Sequence, residues 1–481
     1  SPDFGIKGVL DRFSQIEPKV IFAANGYFYN GKIFDSLEKL QEILQSLPSV
    51  KKVVVVEYTE ENQPISHIEN AVHYSSFLST HPSKLTFEQL PFDHPLYIMY
   101  SSGTTGLPKS IVHSSGGTLI QHLKELRLHC DLTRDDTIFY FTTCGWMMWN
   151  WLVSSLAVGA TLVLYDGSPF YPNKNAMWDM VDKLEISIFG TSAKYIDACK
   201  EAKVFPKQDA NLSSLKTILS TGSPLVEESF DYVYSKIKKD VLLASISGGT
   251  DIISCFALGN PMLPVIRGEL QCRGLGMDIH ALDHAQHSLI NEKGELACKT
   301  AFPSMPIYFW NDPDGVKYHN AYFDLFPHIW HHGDFIKITE DGGVKIFGRS
   351  DSTLNPGGIR IGTAEIYRVV ETLDYVDDSL VIGQDWEGDQ RIVLFIKLRN
   401  NNESITGDNI SEIKSLIKTN CSPRHVPTII LPINDIPYTI NGKKVEVAVK
   451  KVIDGEKVTN KDALANPDSL ELYKNIPELS R

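Results

Sequence analysis

The chain has 481 residues, 42% of them apolar and 22% charged, a globular mix that excludes wholesale disorder and collagen-like fibres. Dividing by about 150 residues per domain gives about three compact units. With 59 acidic against 46 basic side chains the net charge is −13, which argues against a dedicated nucleic-acid binder. A local pocket of main-chain amides can still hold a small anion on an acidic protein. Seven cysteines, an odd count without a CxxC pair, fit neither a disulfide framework nor a zinc ribbon and read as a reduced, cytoplasmic chain. The first residues, SPDFGIKGVLDRF, carry neither the basic nor the apolar region of a secretory signal.

Residues 51 to 58 (KKVVVVEY) and 96 to 100 (LYIMY) are short apolar runs of strand character, and a helical pattern follows at 117 to 130. Residues 137 to 165 carry no charge, enough by count to span a bilayer, but Gly145, Asn150, Ser154, Ser155 and Gly159 interrupt them. MWNWLVSSLAVG therefore reads as a buried helix and ATLVLYDG as the strand after it, with no membrane insertion. A strand at 216 to 220 and a helix at 230 to 239 continue the alternation, which implies parallel or mixed sheets covered by helices. From 265 to 300 the strands shorten and turn signals such as Asn291-Glu-Lys-Gly294 appear, as in a β-rich subdomain. His280, His284 and His287 share helical spacing that could suggest a metal, but no carboxylate or cysteine constellation supports it and a surface loop is the preferred reading. Past 350 come a Pro-Gly-Gly turn, a helix from about Thr363, strands near 379 to 383 and 391 to 398, a helix at 409 to 419, a strand at 426 to 431 and a helix at 444 to 452. The predicted organisation is a large α/β domain (1–350), a compact α+β domain (351–453) and a tail (454–481) draped over a surface by Leu470, Leu472 and Tyr473.

Tyr100-Ser-Ser-Gly-Thr-Thr-Gly-Leu-Pro-Lys109 follows the strand LYIMY directly. Two glycines leave amides accessible, the hydroxyls add donors and Lys109 adds charge, which are the parts of a phosphate cradle. It is not a Walker A loop, because Lys109 lies three residues beyond Gly106, and alone it is equally a Gly/Ser/Thr-rich turn. Trp330-His-His-Gly-Asp334 puts a carboxylate at a strand entrance, where it can accept two hydrogen bonds from a ribose diol. Phe347-Gly-Arg-Ser-Asp-Ser-Thr-Leu-Asn-Pro-Gly-Gly-Ile-Arg-Ile361 is the third segment, and taken singly it could be a hairpin and a helix start.

Together, in this order and with STGSPL (220–225), SISGGTDI (245–252) and IPYTINGKK (436–444), these segments resemble the adenylate-forming enzymes: acyl-CoA synthetases, luciferases and peptide-synthetase adenylation domains. GWMMWNW, SISGGTDIISCF, GRSDSTLNPGGIRIGTAEIY, IPYTINGKKVEVAVK and ELYKNIPEL look like the acetoacetyl-CoA synthetase branch. The resemblance covers essentially the whole chain. It implies a large adenylation domain of mixed sheets covered by helices with a β-rich subdomain, and a small mobile α+β C-terminal domain. The family's chains begin well upstream of Ser1, so the first part of the large domain is expected to be missing here.

The implied activity is an ATP-dependent acid–thiol ligation: acetoacetate attacks the α-phosphate, and coenzyme A then displaces AMP. Ligases for another short acid, and a non-catalytic acyl or nucleotide sensor on the same fold, are the alternatives; a sensor would need no lysine poised for the first half-reaction. Carried over residue by residue, Ser101, Ser102, Gly103, Thr104, Thr105, Gly106 and Lys109 match the phosphate loop. Gly222, Ser223 and Pro224, with Ser245, Ile246, Ser247, Gly248, Gly249 and Thr250, match the adenine side, and Thr250 also faces the α-phosphate. Asp251 stands where most relatives carry a Mg²⁺-holding glutamate, one methylene longer. Asp334 and Arg349 match the ribose clamp, Arg360 a phosphate contact and Asp351 the hinge. Lys443 matches the catalytic lysine, although without the resemblance it reads as a solvated lysine beside Lys444. Gly357 and Gly358 match the pantetheine tunnel, where a missing Cβ lets a ligand pass close, and Lys418 lies near a coenzyme A nucleotide contact or is a plain helix-surface charge. Trp146, Gly248 and Gly249 are assigned to the acyl pocket, while Trp149 and Trp151 read as core. The partners implied are these small molecules; oligomeric state is not readable.

Overall fold

The computed structural model describes residues 4–79, 84–101, 108–222, 224–350, 354–358, 361, 363–400, 404–438, 444–456, 458, 464 and 466–480. They fall into two compact units, the larger taking Leu10–Ser101 and Lys109–Ser350, the smaller built on the described residues of 3–9 and 351–481.

In the larger unit, β1 (Val20–Ala24), β2 (Lys52–Val56) and β3 (Ala71–His73) form a parallel three-stranded sheet in which the valine run of β2 is the buried centre. β4 (Pro95–Ser101) and β5 (Lys109–Ser114) pair antiparallel, and helix α1 (Ser115–Lys124) starts where the Ser114 hydroxyl accepts from Gly117 N–H at 3.2 Å. A π-helical turn, Glu125–His129, continues α1. The charge-free stretch then divides into β6 (Thr137–Tyr140), α2 (Met147–Val153) and β7 (Thr161–Val163), and no helix among the described residues is long and apolar enough to cross a membrane.

β6 and β7 join β8 (Ile188–Ser192), β9 (Thr217–Thr221) and β10 (Leu242–Ser245) in a parallel sheet of order β10-β9-β8-β6-β7. Its side chains alternate between two buried faces, as a parallel sheet covered on both sides requires. Phe139, Phe189, Ile218 and Leu243 meet Trp178, Tyr195 and Phe230 on one face. Ile138, Ile188, Leu219 and Ala244 meet Leu126, Met148 and Trp151 on the other. A short hairpin, β11 (Ser247–Gly249) and β12 (Ser254–Leu258), follows β10 directly. β13 (Ile279–Leu282), β14 (Lys293–Cys298), β15 (Trp330–Ile338) and β16 (Val344–Arg349) make an antiparallel sheet, with α3 (Val316–Tyr322) between β14 and β15. His280 lies on β13 and pairs with Asp278 at 2.9 Å, and His287 pairs with Asp283 at 3.1 Å, so the histidines with helical spacing sit in a hairpin. No cluster of three or more possible metal ligands occurs among the described residues.

In the smaller unit, β17 (Val376–Trp386) pairs antiparallel with β18 (Asp389–Leu398), which pairs parallel with β19 (Ile429–Pro432). Helices α4 (Thr363–Val370) and α5 (Gly407–Asn420) cover one face through Ile366, Val370, Ile413 and Ile417. The other face meets α6 (Glu446–Ile453) and the segment beyond it. Leu470 and Tyr473 are fully buried there, the Tyr473 ring edge-on to Phe395 at 4.9 Å, and Gln384 donates to the Leu479 carbonyl at 2.9 Å. Of the three expected anchors, Leu470 and Tyr473 are buried and Leu472 is exposed.

Candidate active site

Two neighbouring parallel strands run out into the segments that the motifs single out. β9 ends at Thr221 and leads to Gly222 and Pro224, Ser223 lying outside the described residues; β10 ends at Ser245 and leads through Ile246 to the β11–β12 hairpin. The Thr221 hydroxyl donates to the Ile246 carbonyl at 2.8 Å and Ile246 N–H to the Ser220 carbonyl at 2.8 Å, which ties the two exits together. The carboxyl edge of a parallel sheet is where open α/β folds take their ligands.

Ser101 and Lys109 are cross-strand partners, so the connection containing Ser102, Gly103, Thr104, Thr105 and Gly106, which lie outside the described residues, starts and ends at a β pair. The Lys109 ammonium lies 3.0 Å from Asp251 Oδ1, and the Tyr322 hydroxyl donates to the same oxygen at 2.7 Å. The Asp251 side chain is only 7% exposed, and a carboxylate so buried needs such partners to stay charged. Lys109 also stands 5.1 Å from the Tyr322 ring centre and 5.7 Å from that of Phe309, within cation–π range. Tyr322 is itself fixed, stacked on Trp330 at 3.7 Å. Beside this group, fully buried His113 donates through Nε2 to the Thr250 carbonyl at 3.0 Å; a carbonyl only accepts, so Nε2 carries the proton. Burial lowers the His113 pKa to about 4 against the opposing effects of that bond and of Asp251, so the ring is neutral at neutral pH.

Asp334 lies on β15, buried, opposite Arg349 of β16 in the strand register, with His332 Nε2 3.6 Å from its Oδ2. Trp146 stands at the entrance of α2 with its ring edge-on to Tyr140 at 6.1 Å. One assignment needs correction. The open volume of Gly248 is taken up by the hairpin itself, because a Cβ there would sit 1.9 Å from the Ser254 carbonyl oxygen.

In the smaller unit, Gly357 sits at a left-handed φ of +58° in the turn Pro356–Gly358, its N–H donating to Asp389 at 3.0 Å. Lys418 is an exposed cation in the last turn of α5. Lys444 is held within the unit: its ammonium lies 2.5 Å from Glu371, 2.6 Å from Asp378 and 2.6 Å from the Ser379 carbonyl, over the Tyr367 ring. Asp351, Arg360 and Lys443 lie outside the described residues, as does the Arg349 side chain. Sequence reasoning missed Tyr322, His113 and Lys444. Tyr322 lies 71 residues from Asp251 in the unremarkable stretch KYHNAYFDLF, and no local signal could have found it.

The AMP-binding enzyme family matches residues 1–307. The acetoacetyl-CoA synthetase of Danio rerio is 54% identical over 488 residues, covering 100% of this chain and 72% of that protein. The acetoacetyl-coenzyme A synthetase of Rhizobium meliloti (strain 1021) is 54% identical over 481 residues, covering 100% of this chain and 74% of its own. The chain belongs to the acetoacetyl-CoA synthetase family. The solved acetoacetyl-CoA synthetase from Streptomyces lividans matches with a TM-score of 0.72 at 44% identity, over 98% of this chain and 72% of that one. The mixed α/β architecture is that of the AMP-binding enzymes, a ligase family whose acyl-CoA synthetase members use ATP and coenzyme A as substrates.

Proposed function

We propose that this chain joins acetoacetate to coenzyme A through an acyl-adenylate, releasing pyrophosphate and then AMP, with the residues described above in the following roles. A carboxylate is a poor acyl donor until its oxygen becomes part of a good leaving group, and the α-phosphate of ATP supplies that leaving group. The observation that carries the reading is the meeting of Lys109, Asp251 and Tyr322 beside the Thr250 turn, at the end of the strand that leads into the adenine-side segment.

Negative charge accumulates on the transferring phosphoryl group, and fixed donors aimed at it lower the barrier. Ser101, the loop Ser102–Gly106 and Lys109 cradle the phosphates, Thr250 and Arg360 face the α-phosphate, and Asp334 with Arg349 holds the ribose. Gly222, Ser223, Pro224 and Ser245 to Gly249 form the adenine side. A single carboxylate together with substrate phosphates is the usual donor set of Mg²⁺, so the buried Asp251 fits that ion and would hold it. When bound, the ion neutralises phosphate charge and polarises the phosphoryl oxygens. Lys443 bridges the carboxylate and the α-phosphate in the first half-reaction. Gly357 and Gly358 pass the pantetheine, and Lys418 meets the coenzyme A nucleotide, in the second. Trp146 and Gly249 edge the acyl group. Residues 1–350 act as the adenylation domain and 351–453 as its C-terminal partner, with Asp351 as the hinge. The odd count of seven cysteines without a CxxC pair is what supports a cytoplasmic location.

The test is pyrophosphate release over a panel of short acids, with and without coenzyme A, for the wild type and for Lys443→Ala. Acetoacetate is expected to give the highest kcat/KM. Lys443→Ala should abolish adenylate formation yet still form thioester from supplied acetoacetyl-adenylate. Preference for another acid would overturn the substrate, and release of no pyrophosphate with any acid would favour a sensor.

A further inference from the structure

The hairpin that presents Thr250 and Asp251 is held from behind by a group that no motif includes. Glu125, the first residue of the π-helical turn after α1, is fully buried, with 0% exposure. Its Oε1 accepts from the Ser254 hydroxyl at 2.5 Å, from Gln121 Nε2 at 3.0 Å and from the Cys255 main-chain N–H at 3.2 Å. Its Oε2 accepts from Trp151 Nε1 at 2.9 Å. Burial alone would push the carboxyl pKa up, but Lys124, His122 and these hydrogen bonds outweigh it and hold the group ionised.

Two histidines complete the grip. His122 donates through Nε2 to the Ile253 carbonyl at 2.5 Å, and His113 to the Thr250 carbonyl at 3.0 Å. Main-chain groups on both sides of Asp251 are thus seized by buried side chains of one strand–helix unit. Ile253 shows why such a grip is needed. It is β-branched and sits at φ +48°, in the left-handed region where such a residue is a genuine outlier. Strain of that kind persists only where the surroundings over-determine it, and it collects at functional sites. Without the Glu125 and His122 bonds the turn would relax toward ordinary dihedrals and carry Asp251 with it.

We propose that Glu125 is a positioning residue of the adenylation step: it holds the strained turn that sets the place of Asp251, while the separate His113 bond keeps Thr250, and so it prepares the site for the metal-bound triphosphate. This inference rests on the reading of that turn as the phosphate side of the site. It makes a distinction that a merely structural role does not. The ion and pyrophosphate belong to the first half-reaction only, so a displaced Asp251 penalises that step and leaves the thioester step alone.

The experiment compares three variants of the full chain: Glu125→Gln, Ser254→Ala and Trp151→Phe. Glu125→Gln removes the charge, Ser254→Ala removes one of the two links to the hairpin and leaves that of the Cys255 N–H, and Trp151→Phe removes the partner of the other carboxylate oxygen. For each, pyrophosphate release is measured against Mg·ATP concentration, thioester formation from supplied acetoacetyl-adenylate is measured separately, and a thermal melt is recorded. Glu125→Gln should lose about 10-fold or more in kcat/KM for Mg·ATP, the scale of one charge-assisted hydrogen bond, with thioester formation within about 2-fold of wild type. Ser254→Ala should do the same in smaller measure. Trp151→Phe should lower the melting temperature but spare kcat/KM. The proposal is overturned if Ser254→Ala and any folded Glu125→Gln keep the wild-type kcat/KM, or if Trp151→Phe loses as much as they do at equal stability. Wild-type protein that releases no pyrophosphate with acetoacetate would instead overturn the functional reading itself.

Discussion

Tyr322→Phe takes away one oxygen and leaves the rest of its surroundings in place. The ring keeps its stack on Trp330 at 3.7 Å and its cation contact with Lys109 at 5.1 Å. What disappears is the 2.7 Å bond to Asp251, donated by a buried hydroxyl to a buried carboxylate. A hydrogen bond to a charged group contributes about 1.5–3 kcal/mol. At about 1.4 kcal/mol per factor of ten, the full value felt in the transition state amounts to about 10–150-fold in kcat/KM. Lys109 contacts the same oxygen at 3.0 Å and continues to compensate the charge, which sets the expectation near the lower end, about 10-fold. Pyrophosphate release at saturating acetoacetate and varied Mg·ATP measures it, while thioester formation from supplied adenylate serves as the internal control. The reasoning fails if the folded variant stays within about 2-fold in the first assay, because Asp251 would then owe nothing to Tyr322.

Three further outcomes are expected. His113 has a folded pKa of about 4 against an ordinary 6.5, so the unfolded chain binds more protons between those values; stability present above 6.5 is lost as pH falls toward 4, by roughly 3 kcal/mol. Urea unfolding at both ends of that window should show a shallower acid loss for His113→Gln, and an unchanged slope would refute it; buried His122 and His129, lowered in the same direction, keep part of the slope in either protein. Lys444→Met strips Glu371 and Asp378 of their shared cation and should cost about 1.5–3 kcal/mol in chemical denaturation, whereas a neutral result would mean that the pairs are solvated away. Asp334→Asn leaves the buried shape intact but weakens the acceptor offered to the ribose, so calorimetry should find AMP bound about 10-fold more weakly, and equal affinity would remove Asp334 from the clamp.

The sequence exposed what repeats locally and hid what is assembled across distance. The strands at 161 to 165 and 216 to 220, and the covered sheet they enter, were legible because a short apolar run is a property of a few neighbouring residues. The motif segments were legible for the same reason. Glu125, His113 and Tyr322 were not, since each acquires its role only when a helix or strand returns 71 to 137 residues away. Gly248 shows the opposite error. A small side chain in a recognised motif invites a pocket, yet the close approach of Ser254 already accounts for it. In the tail the anchors Leu470 and Tyr473 were legible as isolated apolar residues in a polar stretch, whereas Leu479, also buried, was not.

That tail also imposes an order of events during synthesis. Phe395 lies at the middle strand of the smaller unit, and its edge-on partner is Tyr473. Ribosomes add about 5–20 residues per second, so roughly 80 residues of further translation leave that face of the sheet waiting about 4–16 s for its cover. The described strands of the larger unit, by contrast, have all been made once Ser350 is added. In the interval the nascent chain offers an apolar, strand-edged surface, the kind that chaperones hold and that neighbouring chains on a crowded polysome can capture. Yield on expression is therefore expected to depend on how quickly the ribosome travels from β18 to Leu479, and synonymous codon choice over that stretch is a lever on it.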